Sequence, residues 1–149
     1  MSATEAARAR WMSALAQAEP AAVEAAWAGL PARPAYRTLR SPETGLVMVR
    51  GRAGGTGAAF NLGEMTVTRC SVELHDGRVG HAYVAGRDPR HAEIAAVLDA
   101  MLQDPGGHDA LEALVVEPLL AVREARHRAA RARSGATRVE FFTMVRGEE

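Results

Sequence analysis

Two β-like runs separated by a glycine cluster occupy residues 43 to 70, and this stretch limits the fold more than any other. An apolar run at residues 46 to 49 precedes Gly54, Gly55, Thr56 and Gly57, and residues 65 to 70 follow with Thr and Val in alternation. Glycine accepts positive φ angles and close backbone approach, so the cluster is suited to connect two strands. Three interpretations are open: a loop that binds phosphate, a contact with a neighbouring chain, or a plain turn.

Further strands are predicted on both sides of the glycine cluster. Period-two alternation over residues 65 to 74 predicts a half-buried strand. Asp76-Gly77 is a strong hairpin signal, and it pairs this strand with residues 79 to 85. Residues 36 to 40 and 46 to 53 predict two more strands, because SPETG between them has the composition of a turn. We therefore expect an antiparallel sheet of at least four strands.

Helices are predicted before and after the sheet. Apolar residues at helical spacing indicate helices over residues 3 to 18 and 20 to 30, and Trp11 lies on the apolar stripe of the first. Asp88 and Pro89 suit the N-cap and first turn of a third helix. A short helix from residue 108 to 114, an extended Val115-Val116 and a helix from 118 to about 133 follow. The predicted class is α+β, a mainly antiparallel sheet of four or more strands flanked by helices.

Length and charge set broad limits. A chain of 149 residues can form one domain with its own core. We predict a single domain over 1–149: a helical pair at about 3–30, a sheet at about 36–86, and helices with a terminal extended segment at 88–147. The formal net charge is 0, so no overall field attracts nucleic acid or an anionic membrane. A membrane span and a signal peptide are not visible, so a cytoplasmic protein is expected.

Residue types exclude several chemistries. All 18 basic residues are arginine, so Schiff-base and P-loop lysine chemistry is excluded. Cys70 is the single cysteine, so this chain cannot form an internal disulfide or bind an iron–sulfur cluster with its own thiolates. The five histidines are scattered, and no metal-ligand spacing or catalytic triad is visible. We expect no metal site.

Two stretches are candidates for binding an anion or a partner. The glycine cluster could present successive backbone N–H groups as an anion-binding nest, with Arg69 near enough in sequence to add charge. In VAGRDPRHAE, residues 84 to 93, a strand ends and a capped helix begins; Arg87 and His91 would reinforce the preference of a helix N-terminus for anions. A turn between strands and an ordinary helix start are the alternatives.

The C-terminal segment TRVEFFTMV, residues 137 to 145, stays apolar almost to the last residue. Chain ends are usually polar, so this segment predicts either an inner strand or a surface for a partner. Trp11 could cover the sheet or dock on another subunit. The candidates for a partner interface are Trp11, Arg138, Phe141, Phe142, Met144 and Arg146.

Four sequence blocks resemble the PhnG family, the G subunits of the bacterial carbon–phosphorus lyase core complex. They are RWMSALA, ETGLVMVRGRAGGTGAAFNLGEMTVTR, VAGRDPRHAE and ATRVEFFTMVRG, in the order of the family, and they span residues 10 to 147. The GGTG and FFTMVRG blocks are the most specific. The stretch between residues 104 and 131 is less diagnostic.

The resemblance implies a role in phosphonate breakdown, in a complex with H, I and J subunits and with the I subunit as the direct contact. A phosphonate would displace adenine from MgATP at ribose C1, giving a ribose 1-phosphonate 5-triphosphate, with the I subunit as catalyst. S-adenosylmethionine and an iron–sulfur cluster would belong to the J subunit, and this chain would bind no cofactor by itself. The alternative function is a stand-alone nucleotide- or phosphate-binding domain.

Overall fold

A computed structural model describes residues 3–137 as helices packed on an antiparallel sheet. The chain begins with helices α1 (Ala3–Gln17) and α2 (Pro20–Ala28). The sheet contains β1 (Tyr36–Arg52), β2 (Ala59–Leu74) and β3 (Val79–Ala85). After the sheet come α3 (Pro89–Leu102), α4 (His108–Leu111), a π-helical stretch (Glu112–Val116) and α5 (Glu117–Ala136).

The sheet has three strands within the described residues, in the order β1-β2-β3, so the expectation of four or more strands is wrong. Residues 41 to 45, predicted as a turn, lie inside β1. The strand crosses them with register shifts between Thr38 and Arg40 and between Arg40 and Glu43. An edge strand tolerates proline and bulges because its outer side has no ladder to maintain, so Pro42 bends β1 without ending it.

Helix α3 covers one face of the sheet, which we call the helix-covered face. Its side chains Ile94, Val97 and Leu98 are buried in the same core cluster as Val72 and Val84 of the sheet. The helix lies close to β3: a Cβ atom at Gly80 would lie 1.9 Å from the carbonyl oxygen of Ala96. Only glycine fits this crossing, because any side chain would push α3 off the sheet.

A buried carboxylate joins α1, α3 and the outer edge of β3. Asp99 on α3 is fully buried and accepts hydrogen bonds from Arg8 Nε (3.1 Å) and Nη2 (2.7 Å) and from Trp11 Nε1 (2.9 Å). The backbone N–H of His81, on the free edge of β3, also donates to Asp99, at 2.9 Å. The carboxylate raises the pKa of the Arg8 guanidinium above its ordinary value, mainly through the hydrogen bond. Asp99 and α1 thereby close an edge that could otherwise pair with another chain.

The C-terminal region is helical where a break was predicted. Val115 and Val116 were expected in an extended piece, but both are fully buried in the π-helical stretch that connects α4 to α5. Packing in the core outweighs the preference of β-branched residues for strands. No helix in the described part of the chain has the length and apolarity to cross a membrane. The predicted terminal extended segment lies, from residue 138 onward, outside the described residues.

Candidate functional site

Strands β1 and β2 continue beyond β3 as a two-stranded arm. The last residue of β3 is Ala85, which pairs with Val67 of β2. Beyond it, β1 and β2 stay paired with each other from Leu46 and Thr66 to Arg52 and Ala59. At about 3.3 Å per residue, this paired part is about 20 Å long. We call residues 46–65 the hairpin arm.

The hairpin arm exposes large apolar side chains. Five of them are exposed by these fractions: Leu46 63%, Met48 55%, Phe60 47%, Leu62 62% and Met65 42%. The rest of the described chain exposes four other large apolar side chains, which are Leu39, Tyr83, Leu114 and Val122. A concentration of exposed apolar surface on one element is typical of a site of protein–protein interaction.

These apolar side chains lie on both faces of the hairpin arm. Leu46 pairs with Thr66, which is on the helix-covered face, and Met48 lies two residues further along the same face. Val47 and Met65 pair with each other on the opposite face. Any surface that covers the arm completely must therefore contact both faces.

The glycine cluster forms the tip of the hairpin arm. A short 3₁₀ turn, Ala53–Gly55, begins it, and Gly54 and Gly55 have φ angles of 60° and 79°. The Gly57 N–H donates to the Ala53 carbonyl at 3.0 Å, and Arg52 Nη1 donates to the Gly57 carbonyl at 3.2 Å. Glycine is required at the two positive φ angles. A Cβ atom at either position would meet no atom within 4 Å, so the tip is open around them.

Arg69 is not part of the tip. It lies on the open face of the sheet, where its Nε donates to Glu43 Oε1 at 2.6 Å. Arg40 contacts the same carboxylate oxygen at 2.8 Å. These arginines, Arg69 foremost, lower the pKa of Glu43. Ten residue-to-residue steps along β2 lead from Arg69 to Ala59, next to the tip. This is a distance of about 33 Å along the strand, so the structure does not bring Arg69 and the tip together.

The start of α3 separates its two candidate residues. Asp88 caps the helix by accepting the His91 N–H at 2.9 Å, as the sequence predicts. The His91 side chain is buried and its Nε2 donates to the Leu15 carbonyl at 2.7 Å, which ties α3 to α1. Arg87 is exposed and has no ion pair or hydrogen bond to any residue between 3 and 137. His91 therefore points into the core, and Arg87 points to solvent.

The two candidate stretches are far apart. The Gly86 N–H donates to the Thr66 carbonyl at 2.8 Å, so the start of α3 lies at the base of the hairpin arm. Seven residue-to-residue steps along β2 lead from Thr66 to Ala59, next to the tip. The separation is about 23 Å along the strand, so the glycine cluster and Arg87 do not form one site.

The other interface candidates divide between the core and the C-terminus. Trp11 is buried in the core of this chain; its ring centroid lies 5.2 Å from that of His108. Arg138, Phe141, Phe142, Met144 and Arg146 lie outside the described residues.

Sequence reasoning missed the exposed apolar residues of the arm. The available signal was LVMV at residues 46 to 49. All four residues are apolar, and because alternate residues of a strand point to opposite faces, both faces of this strand carry apolar side chains.

We call residues 3–45 and 66–137 the body of the chain. Two of its reactive side chains, Cys70 and Tyr36, are held in its internal structure. Burial raises the pKa of the Cys70 thiol to about 11, so little of it is thiolate near neutral pH. Tyr36 donates its hydroxyl to Glu93 Oε1 at 2.7 Å, and burial together with this contact raises its pKa to about 12. Among residues 3–137, no group of three or more His, Cys, Asp or Glu side chains is placed to hold a metal ion.

Comparison with known proteins gives two consistent matches. Residues 6–147 match the family model described as "Phosphonate metabolism protein PhnG". A curated relative from Rhizobium meliloti (strain 1021), the alpha-D-ribose 1-methylphosphonate 5-triphosphate synthase subunit PhnG, is 45% identical over 138 residues. The aligned part covers 93% of this chain and 88% of the relative. The hairpin arm and the start of α3 both lie within the residues that the family model matches.

Proposed function

The chain belongs to the PhnG family of phosphonate metabolism proteins, and from this premise we propose that it is the PhnG subunit of an α-D-ribose 1-methylphosphonate 5-triphosphate synthase. The observation that carries the proposal is 45% identity to such a subunit across 93% of the chain. In the proposed reaction a phosphonate oxygen bonds to ribose C1 of MgATP while the bond from C1 to adenine breaks. The products are adenine and a ribose 1-phosphonate 5-triphosphate.

We propose that this chain supports the reaction as a companion of the catalytic subunit. Its buried side chains already have structural partners: His91 is bound to the Leu15 carbonyl, and Asp99 holds Arg8 and Trp11. Cys70 is buried and largely protonated. These contacts favour a scaffold role over a nucleophilic one, and we propose that the I subunit carries the catalysis.

We propose the H, I and J subunits as partners, with the I subunit in direct contact with this chain. MgATP is then a substrate of the whole complex. S-adenosylmethionine and an iron–sulfur cluster belong to the J subunit and to the later cleavage of the C–P bond. Assembly with other subunits agrees with the word "subunit" in the name of the Rhizobium meliloti relative.

The test is adenine release by the purified subunits, with and without this chain. MgATP and methylphosphonate are supplied, and adenine is measured by chromatography. We expect release to fall at least tenfold when the chain is left out and to return when the purified chain is added. Undiminished release without the chain would contradict the proposal.

A second proposal concerns Arg87. Its guanidinium is exposed and unpaired within the described residues, whereas Arg69 is bound to Glu43 and Arg52 to the Gly57 carbonyl. Arg87 is thus the candidate that is free to contact a phosphate group in the assembled complex. Arg87→Ala should lower adenine release several-fold without loss of the complex. The matching test of the tip is the double variant Gly55→Ala, Gly57→Ala. Unchanged rates of adenine release in both the Arg87 variant and the glycine variant would mean that these residues have only a structural role.

A further inference from the structure

We propose that the hairpin arm inserts into an apolar cleft of a neighbouring synthase subunit, and that carboxylates rim this cleft. This inference rests on the proposed function, because the subunit that provides the cleft belongs to the same complex. It assigns the contact to residues 46–65 and not to Trp11, which is buried in the core of this chain.

The first argument is that the hairpin arm lacks cover from the rest of the described chain. A two-stranded ribbon is at best marginally stable in water and needs a further surface to pack on. Nearer the body, the helix-covered face of β2 is buried at Thr68, Cys70 and Val72. On the same face of the arm, Leu46 and Met48 are more than half exposed. The strands thus run past α3 and present an apolar surface that nothing between residues 3 and 137 covers.

The second argument selects a cleft over a flat surface. Leu46 and Met48 project from one face, while Val47 and Met65 project from the other. A flat partner would bury one face and leave the other in water. An added strand along β1 would satisfy its backbone edge but would leave the side chains of both faces exposed. A cleft buries both faces at once.

The third argument is charge complementarity near the tip. The charged residues of the hairpin arm are Arg50, Arg52 and Glu64. Arg50 is exposed and has no ion pair among the described residues, and Arg52 contacts a carbonyl and no described carboxylate. Arginine favours paired contacts with carboxylates, so a protein cleft with Asp or Glu at its rim fits this end of the arm. A second copy of the chain would bring the same arginines.

The central experiment is co-purification of the full-length chain with tagged partner subunits of the synthase. The variant carries Leu46→Asp and Leu62→Asp, which replace the two most exposed large apolar side chains of the arm. The control is Leu114→Asp, at a 47% exposed leucine outside the arm. We expect the arm variant to lose at least tenfold of the recovered complex and the control to match the wild type. Thermal unfolding of each purified chain checks that both variants fold.

Wild-type recovery of the arm variant would overturn the proposal, as would an equal loss in the Leu114→Asp control. If the wild-type chain itself does not co-purify, the proposed function fails and the inference fails with it. If the wild type assembles and the arm variant assembles equally well, only the inference fails. The two results are therefore distinguishable.

A photo-crosslinking amino acid in place of Phe60 identifies the subunit that contacts the hairpin arm in the assembled complex. We expect crosslinks to a peptide of another subunit that contains Asp or Glu. Crosslinks between two copies of this chain would overturn the proposal in favour of self-association. Arm-dependent binding to vesicles that contain an anionic phospholipid, without a protein crosslink, would overturn it in favour of a membrane. Arg50→Glu should weaken assembly several-fold, and Arg50→Lys should weaken it less.

Discussion

Strands β1 and β2 pass through two environments in one hairpin. At the body, α3 covers them, and Cys70, Val72 and Leu74 alternate inward with almost no exposed area. In the hairpin arm the same strands carry Leu46, Met48 and Leu62, which are more than half exposed. Both parts are paired and apolar, and they differ in whether a helix covers them. The comparison shows that the apolar strands of this chain are buried where α3 covers them and exposed where it does not.

The two regions also differ in how their polar groups are satisfied. In the body, Asp99 holds Arg8, Trp11 and the edge of β3. No buried side-chain nitrogen or oxygen in the described residues lacks a hydrogen-bond partner. In the arm, Arg50 has no ion pair with a carboxylate among the described residues. We therefore expect mutations in the body to change stability, and mutations in the arm to change assembly.

The largest effect on stability is expected at Asp99. Asp99→Ala would leave the Trp11 N–H and the edge N–H of His81 without an acceptor and would release Arg8, which is partly exposed. We expect a loss of about 3 kcal/mol in the free energy of unfolding. Urea denaturation measures it, with the exposed Asp109→Ala as the control. A loss below about 1 kcal/mol would show that α1 and β3 do not depend on this carboxylate.

The next effect is expected where α3 crosses β3. Gly80→Ala would place a Cβ atom 1.9 Å from the carbonyl oxygen of Ala96, so helix and strand must separate. We expect a loss of about 2 to 3 kcal/mol. Gly45→Ala is the matched control, because a Cβ atom there meets nothing within 4 Å. Similar melting temperatures for the two variants would contradict the close crossing.

A smaller, pH-dependent effect is expected from Cys70. Its pKa is raised in the folded chain from 9.0 to about 11, so the folded state holds the proton more tightly than the unfolded state. The stabilisation is present below pH 9 and is lost as the pH rises through about 11, with about 2 kcal/mol of it lost by pH 11. Tyr36 adds to the loss from pH 10 upward. Urea midpoints between pH 8 and 11 measure this, and Cys70→Ala should show a shallower decline; an equal decline would exclude Cys70 as its source.

The smallest effect on stability is expected in the hairpin arm. Leu46→Asp replaces a side chain that is 63% exposed, and such surface changes are usually within about 0.5 kcal/mol. Urea denaturation of the isolated chain measures this beside the Asp99→Ala variant. A loss above about 2 kcal/mol would mean that the arm belongs to the core of this chain, which would remove the distinction between the two regions.

The sequence predicts the elements whose signals are local. Alternation over residues 65 to 74, Asp76-Gly77 and the Asp88-Pro89 pair predict β2, β3 and α3, and the structure confirms these elements. The prediction of a turn at SPETG is wrong, because the composition of this segment does not reveal that β1 is an edge strand that can bulge. The prediction that Val115 and Val116 are extended is also wrong, because packing against the core decides their conformation.

The candidate site is predicted only in part, for a related reason. The glycine cluster is visible in the sequence, and the structure places it at the tip of the hairpin arm. The exposure of Leu46 and Leu62 depends on where α3 begins over the sheet, at the base of the hairpin arm, and no local pattern reports that position. The same is true of His91, which lies at a helix start and turns into the core toward Leu15.

Hydrogen–deuterium exchange of the chain, free and in the assembled synthase, tests the contrast between body and arm most directly. Exchange in α3 should be slow in both states, because its residues are already buried in the free chain. Peptides from residues 46–65 should exchange fast in the free chain and at least tenfold more slowly in the complex. Equal exchange of these peptides in the two states, with the complex intact, would contradict the account.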